Sequence, residues 1–240
     1  MKIITLGDIH GRENWKKITY NEDFDKIVFI GDYFDSFNIS GVDQINNFLD
    51  IIQYKKNNID KVILLIGNHD YHYFSSIGNR GISGYQPVMA PSISFIIEEN
   101  KNYLQMAYGY KNLLFTHAGV TESFMNSVFG KAGWSYDNIV GDLNDLWKYK
   151  PLSFNFNGID PYGDDIYQSP IWIRPRSLMK DSKDLKKKYI QIVGHTEQNS
   201  IDIEGKSTNG KYYFIDTLHN KVGEYLIYNN NSFSIGKVNI

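Results

Sequence analysis

Two carboxylates stand three residues apart in the loop Gly31 to Phe37, GDYFDSF, and no basic side chain accompanies them. Asp32 and Asp35 follow an apolar run, and crowding like charges at such a point is unfavourable unless something positive holds them. The same kind of loop recurs along the chain. GDIHG carries Asp8 and His10, GNHD carries Asn68, His69 and Asp70, THAG carries His117, and GHTE carries His195. Asp8, His10, Asp32, Asn68, His117 and His195 offer carboxylate oxygen, amide oxygen and imidazole nitrogen, with no sulfur. That donor set suits Mn, Fe or Zn. An aspartate shared by two ions lets them sit about 3.5–4 Å apart, the spacing of two-metal hydrolytic sites. Asp-x-His turns two ligands to one face of a strand end, because alternate residues share a face.

The elements that must position these residues are short apolar runs. KIITL leads into GDIHG, KIVFI into GDYFD and KVILLI into GNHD. Runs of Ile, Val and Leu without polar alternation predict buried, parallel strands. Helical patterns lie between them: ENWKKITY after the first and VDQINNFLDIIQYKKNN after the second. This βαβαβ order puts ligand sites at the carboxyl ends of strands. NLLF delivers His117 and YIQIV delivers His195. KYYFIDT, EYLIY and SFSIGKV predict antiparallel strands closing the chain. The sequence is read as a single domain over 1–240. An elaborated loop region over about 131–170 is rich in Gly, Asn, Asp and aromatics and includes a helix at VGDLNDLWKY.

Composition narrows the chemistry. The chain has 240 residues, 42% hydrophobic and 22% charged, with a net charge of −2. That is ordinary globular composition, with no sign of a polyanion-binding face. There is no cysteine, which excludes disulfides, thiolate metal sites and cysteine nucleophiles. The N-terminal MKIITLGDIHG turns polar too soon for a signal peptide, and no run approaches the roughly 20 apolar residues of a membrane span. A cytoplasmic protein without membrane or stable nucleic-acid partners is expected.

GDIHG, GDYFD, GNHD, THAG and GHT occur in the order of the calcineurin-like metallophosphoesterases, and five motifs in order are specific. The chain resembles the phosphoprotein phosphatase branch, which includes small prokaryotic and phage phosphatases and symmetrical diadenosine tetraphosphatase. The resemblance runs from Gly7 to about Asp216. It implies an α/β fold of two packed mixed β-sheets flanked by helices. It implies two divalent ions, Mn first with Fe or Zn as alternatives, that hydrolyse a phosphate ester through a hydroxide they hold. Asp8, His10 and Asp32 would hold the first ion, Asp32 would bridge, and Asn68, His117 and His195 would hold the second. His69 is similar to the family's general acid and Asp35 to the carboxylate that orients it.

The chain departs from that branch at two arginines. Ser36 follows GDYFD and Ile66 precedes GNH, where the branch usually carries Arg. This weakens the protein-phosphatase reading. The substrate is expected to be phosphorylated, whether small molecule, nucleotide or phosphoprotein. A nucleotide or dinucleoside polyphosphate hydrolase, or a phosphodiesterase, is the alternative. A non-catalytic binding subunit of the same fold is the other, although every ligand and His69 are present. The chain has only four arginines, Arg12, Arg80, Arg174 and Arg176, among 25 basic residues, so Arg where Lys would serve points to bidentate anion pairing. Arg174 in IWIRPR matches the branch's phosphate-binding arginine by position. Arg176 is its lesser partner, or a surface residue flanking Pro175, and Arg80 is the fallback. Glu197 stands where nuclease-like relatives have a second His and is left out of the ligand set. His72 and His219 lack a strand-end setting and are read as structural or exposed. Asp70 is read equally as a partner of the site or a loop cap. DSKDLKKKY is read as a solvated helical face, and the aromatics of the loop region as packing, with one or two free to stack on a substrate ring.

Overall fold

A strand made wholly of branched aliphatic residues has no wet face, and the fold covers both. The computed structural model describes residues 1–77, 83–157 and 160–239. β1 (Lys2–Leu6), β2 (Lys26–Phe29) and β3 (Val62–Leu65) are parallel neighbours, with Ile3 opposite Lys26 and Ile27 opposite Val62. β4 (Leu104–Gln105) adds to β3 in parallel. The second sheet holds β5 (Ala107–Tyr110), β6 (Leu113–Thr116), β7 (Ile190–Val193) and β8 (Tyr212–Phe214), in that order. β9 (Val222–Asn229) runs antiparallel on β1 and forms a hairpin with β10 (Ser232–Asn239), so the first sheet reads β10-β9-β1-β2-β3-β4.

Alternate residues divide the strands between two layers. Ile3, Val28, Ile30, Ile63 and Leu65 pack with Leu113, Phe115, Ile192 and Ile215, which fills the space between the sheets. Ile4, Leu6, Ile27, Phe29, Val62 and Leu64 pack on the other side with Trp15, Ile18, Phe48, Ile51, Ile93 and Ile97. Those residues come from the helices α1 (Asn14–Asn21) and α2 (Gly41–Asn57) and, beyond the short α3 (Asn68–Tyr71), from α4 (Ala90–Glu99). A slip of one residue would exchange the two sets, so the pattern fixes register. α2 begins where Ser40 Oγ accepts the Asp43 N–H at 3.2 Å. Trp15 Nε1 donates to Asn47 Oδ1 at 2.9 Å, which joins α1 to α2.

Among the described residues the remaining α-helices are α5 (Glu122–Phe129), α6 (Ile139–Tyr149), α7 (Pro175–Asp181) and α8 (Leu185–Lys188). α6 matches the helix expected in the loop region. Two expectations need correction. β8 lies parallel to β7, with Gln191 opposite Tyr212, and not antiparallel. The loop from Gly194 to Lys211 is long enough to carry the chain back to the strand's starting end, as a parallel pair requires. DSKDLKKKY is not one helical face, because α7 ends at Asp181 and only Leu185–Lys188 is helical after it. Among the described residues no helix is long and apolar enough to cross a membrane.

Candidate metal centre

The carboxyl ends of β1, β2, β3, β6 and β7 meet where the two sheets converge. Hydrogen bonds stitch the sheets together there. His195 N–H donates to Asp8 Oδ1 at 3.0 Å, and His117 Nδ1 lies 3.1 Å from the Ile30 carbonyl. Glycine is required where loops cross most closely. A Cβ at Gly67 would lie 2.0 Å from Asp32 Oδ1, and one at Gly194 would lie 2.1 Å from Asp8 Oδ1. His10, Asp32, Asp35 and His195 all have left-handed backbone, with φ of 43°, 53°, 67° and 67°. Such conformations are unfavourable for non-glycine residues and concentrate at functional sites.

Two ligand groups result. Asp8, His10 and Asp32 converge within 4.8 Å of one another, and so do Asp32, His117 and His195. Asp32 belongs to both. Asn68 Oδ1 lies 2.9 Å from His117 Nε2 and 2.8 Å from His195 Nδ1. Each imidazole keeps its other nitrogen on a backbone carbonyl. His10 Nδ1 lies 2.5 Å from Phe34 O, His117 Nδ1 3.1 Å from Ile30 O, and His195 Nε2 3.0 Å from Trp172 O. A carbonyl only accepts, so those nitrogens carry the protons and the opposite lone pairs are presented to the shared space. Asn68 Oδ1, His117 Nε2, His195 Nδ1 and Asp32 Oδ2, which lies 3.3 Å from His117 Nε2, are then acceptors facing acceptors. That arrangement fits cations, and backbone carbonyls that orient ligand imidazoles are the usual support of a metal site.

The electrostatics agree. Burial, with Asp216 and Asp32 close by, pushes the Asp8 carboxyl well above its ordinary pKa. Burial would also raise Asp32; protonated His117, His69 and His10 would outweigh it and hold Asp32 well below its ordinary value, a role that cations take over where the imidazoles are neutral ligands. Burial depresses His195, with Arg174 and His117 adding to it, and burial depresses His10 too, so both are neutral and able to ligate.

His69 heads α3 beside Asn68. Its Nδ1 lies 2.9 Å from Asp35 Oδ2, and its N–H donates to Asp32 Oδ1 at 2.8 Å. Burial opposes charge on His69, but Asp32 and Asp35 more than offset this and raise its pKa. Asp70 is fully buried and braces the loops. It accepts the backbone N–H groups of Asp32 at 2.8 Å, Tyr33 at 2.7 Å and Gly67 at 2.9 Å.

Arg174 Nε donates to Tyr162 O at 2.9 Å, and Nη1 donates to His195 O and Thr196 Oγ1, both at 3.0 Å. Asp32, Asp8 and Asp216 are the charges it faces. Arg176 is 90% exposed, with Asp164 Oδ2 3.9 Å away. Arg80 lies outside the described residues. Glu197 is exposed, and its charge acts on Arg12 and His219. His219 Nδ1 lies 3.7 Å from the buried Asp216.

Two features escaped the sequence reading. Arg12, directly after the GDIHG motif, is drawn to Asp216, Asp8 and Glu197 from a half-buried position. His72 is 2% exposed and reaches Asp35, with Nε2 2.8 Å from Oδ2. Its spacing of three from His69 places both imidazoles on one side of a helical turn, a signal the sequence did contain.

Carboxylates and imidazoles gathered at parallel strand ends between two mixed sheets define a metallophosphoesterase fold. The chain belongs to the calcineurin-like phosphoesterases: that family's model matches residues 1–226. It is a phosphoesterase. A protein serine/threonine phosphatase from Saccharomyces cerevisiae, with similarity to human phosphatase PP5, superposes with a TM-score of 0.61 at 13% identity, covering 100% of this chain and 80% of that one. A metallophosphoesterase from Sphaerobacter thermophilus gives a TM-score of 0.46 at 12% identity, covering 99% of this chain and 88% of the other. Comparison with curated protein sequences returns no significant match.

Proposed function

We propose that this protein is a phosphatase working with two divalent ions, Mn first and Fe or Zn as alternatives. The observation that carries this reading is the set of lone pairs turned on one another around Asp32, with each imidazole proton held by a backbone carbonyl. Asp8 and His10 would hold one ion, Asn68, His117 and His195 the other, and Asp32 both. When bound, the ions supply Lewis acidity that lowers the pKa of water and offsets phosphoryl charge. His69 gives a proton to the leaving oxygen, and Asp35 holds the imidazole for that transfer through Nδ1. Arg174 is the main donor to phosphoryl oxygens, with Arg176 a lesser or structural partner. The protein acts as one domain over 1–240 in the cytoplasm, without a nucleic-acid partner.

Nucleotide or dinucleoside polyphosphate hydrolysis is the second reading. What favours it is the lack of two arginines at the metal loops: Ile66 is wholly buried and Ser36 carries no charge. The test is protein loaded with Mn and assayed on phosphomonoesters, phosphodiesters, dinucleoside polyphosphates and phosphopeptides. Turnover of a phosphomonoester or phosphopeptide supports the first reading. Preference for dinucleoside polyphosphates moves the protein to the second, and inactivity on every class contradicts both.

A further inference from the structure

Asp35 has more partners than one imidazole requires. The carboxylate is 2% exposed, and three side chains address its two oxygens. Tyr73 O–H donates to Oδ1 at 2.5 Å, His69 Nδ1 lies 2.9 Å from Oδ2, and His72 Nε2 lies 2.8 Å from that same Oδ2. The His72 contact is close but not aligned as a hydrogen bond, and neither of its ring nitrogens has an aligned partner. Tyr73 is itself fixed from several sides. Its hydroxyl accepts the Gln86 N–H at 3.1 Å, and its ring stacks on Tyr85 at 5.4 Å and 22°. His72 stands edge-on to both rings, at 4.3 and 5.2 Å.

A carboxylate's terminal torsion is soft and two-fold, so a free aspartate can turn either oxygen to its neighbour. Asp35 also sits on left-handed backbone, a strained conformation that the surrounding contacts must hold. A hydroxyl bound to one oxygen removes that freedom, and a charge-assisted O–H···O⁻ bond is among the stronger ones available. Burial and the nearby Asp35 push the Tyr73 hydroxyl pKa well up, so it stays a donor.

We propose that Tyr73 is a positioning residue of the proton-donating pair: its hydroxyl pins Asp35 Oδ1 so that Oδ2 stays on His69, while His72 closes the flank of Oδ2. This rests on the reading of His69 as the general acid. It extends the pair to a group of four side chains, Tyr73, Asp35, His72 and His69, in which only His69 meets the leaving group.

The test is Tyr73→Phe in the full-length, Mn-loaded protein, compared on p-nitrophenyl phosphate and on an alkyl phosphate. The nitrophenolate leaves without a proton and the alkoxide does not, so the loss in kcat should be larger on the alkyl ester by about tenfold or more. KM should change similarly for both esters. In a His69→Asn background Tyr73→Phe should add nothing. The downfield Nδ1 proton resonance of His69, read without substrate, should shift or broaden in the variant. Equal losses on the two esters, losses that add to those of His69→Asn, or an unmoved His69 resonance would overturn the proposal. If the phenylalanine variant does not fold, difluorotyrosine at position 73 keeps the shape and changes the hydroxyl's acidity. A leaving-group-dependent change in kcat then supports the role, and its absence refutes it. If His69→Asn alone shows no leaving-group dependence, the acid reading fails and the positioning role falls with it. If that variant behaves as an acid mutant and Tyr73→Phe does not, only the positioning role is lost.

Discussion

Asp32 Oδ1 accepts the backbone N–H of His69 at 2.8 Å, so the carboxylate common to both ligand groups also anchors the turn that carries the proposed acid. Gly67 makes this approach possible, since a Cβ there would stand 2.0 Å from that oxygen. Gly67→Ala should therefore displace Asp32 and cost about 1–3 kcal/mol, the range for overpacking a dense site. Circular dichroism should show the fold kept, while elemental analysis shows less bound metal. Wild-type metal content and melting temperature would mean the loop yields easily.

Asp70 answers three backbone N–H groups from two loops. Each buried donor left unsatisfied costs about 1–3 kcal/mol. Asp70→Ala should destabilise the metal-free protein by roughly 3 kcal/mol or more, read by denaturant unfolding. A change below about 1 kcal/mol would show that water or a relaxed loop replaces the carboxylate.

Much of this was legible in the sequence because apolar runs and strand-end loops obey local rules. Residues 3, 28, 30 and 63 face one layer and 4, 27, 29 and 62 the other, which is why those runs show no polar alternation. The six proposed ligands stand in short strand-end motifs, and the fold brings them together. What was hidden depends on contacts distant in sequence. The carbonyls of Phe34, Ile30 and Trp172 carry no side-chain signature, yet they set the imidazole tautomers. The direction of β8 depends on the path of a loop, not on the pattern of YYF. The spacing of His72 from His69 is visible in the sequence, but its contact with Asp35 is not, because Asp35 lies in a different loop.

Arg174 is held by Tyr162 O, His195 O and Thr196 Oγ1. Arg174→Lys keeps the charge and loses the planar fork, so kcat/KM should fall about tenfold or more, since 1.4 kcal/mol is a factor of ten. Bound metal should stay at the wild-type level. Unaltered kinetics with reduced stability alone would make Arg174 a packing residue.

Loading should release protons. Burial and neighbouring acids raise the Asp8 pKa, so its proton persists above the ordinary carboxyl range and must leave when a cation binds. His10 and His195 have depressed pKa values, so in the fold they stay neutral below the ordinary imidazole value and compete less. The sign follows. Without metal, the Asp8 contribution to stability is present at low pH and is lost as pH rises through its raised value, which is where a cation compensates most. The rise in melting temperature on adding Mn should therefore grow as pH is raised above the ordinary carboxyl range. A rise that is flat or shrinks there would argue against carboxylate ligands.

The proposed dinuclear centre requires Asp32 to serve two ions. Elemental analysis of Asp32→Asn beside the wild type, with phosphatase activity measured on the same samples, tests it most directly. The wild type should bind two ions per chain, the paired occupancy of a two-metal site. Asp32→Asn should retain its fold, bind fewer ions and lose activity. A variant with full metal content and activity, or a wild type that saturates at one ion, would rule out a shared Asp32.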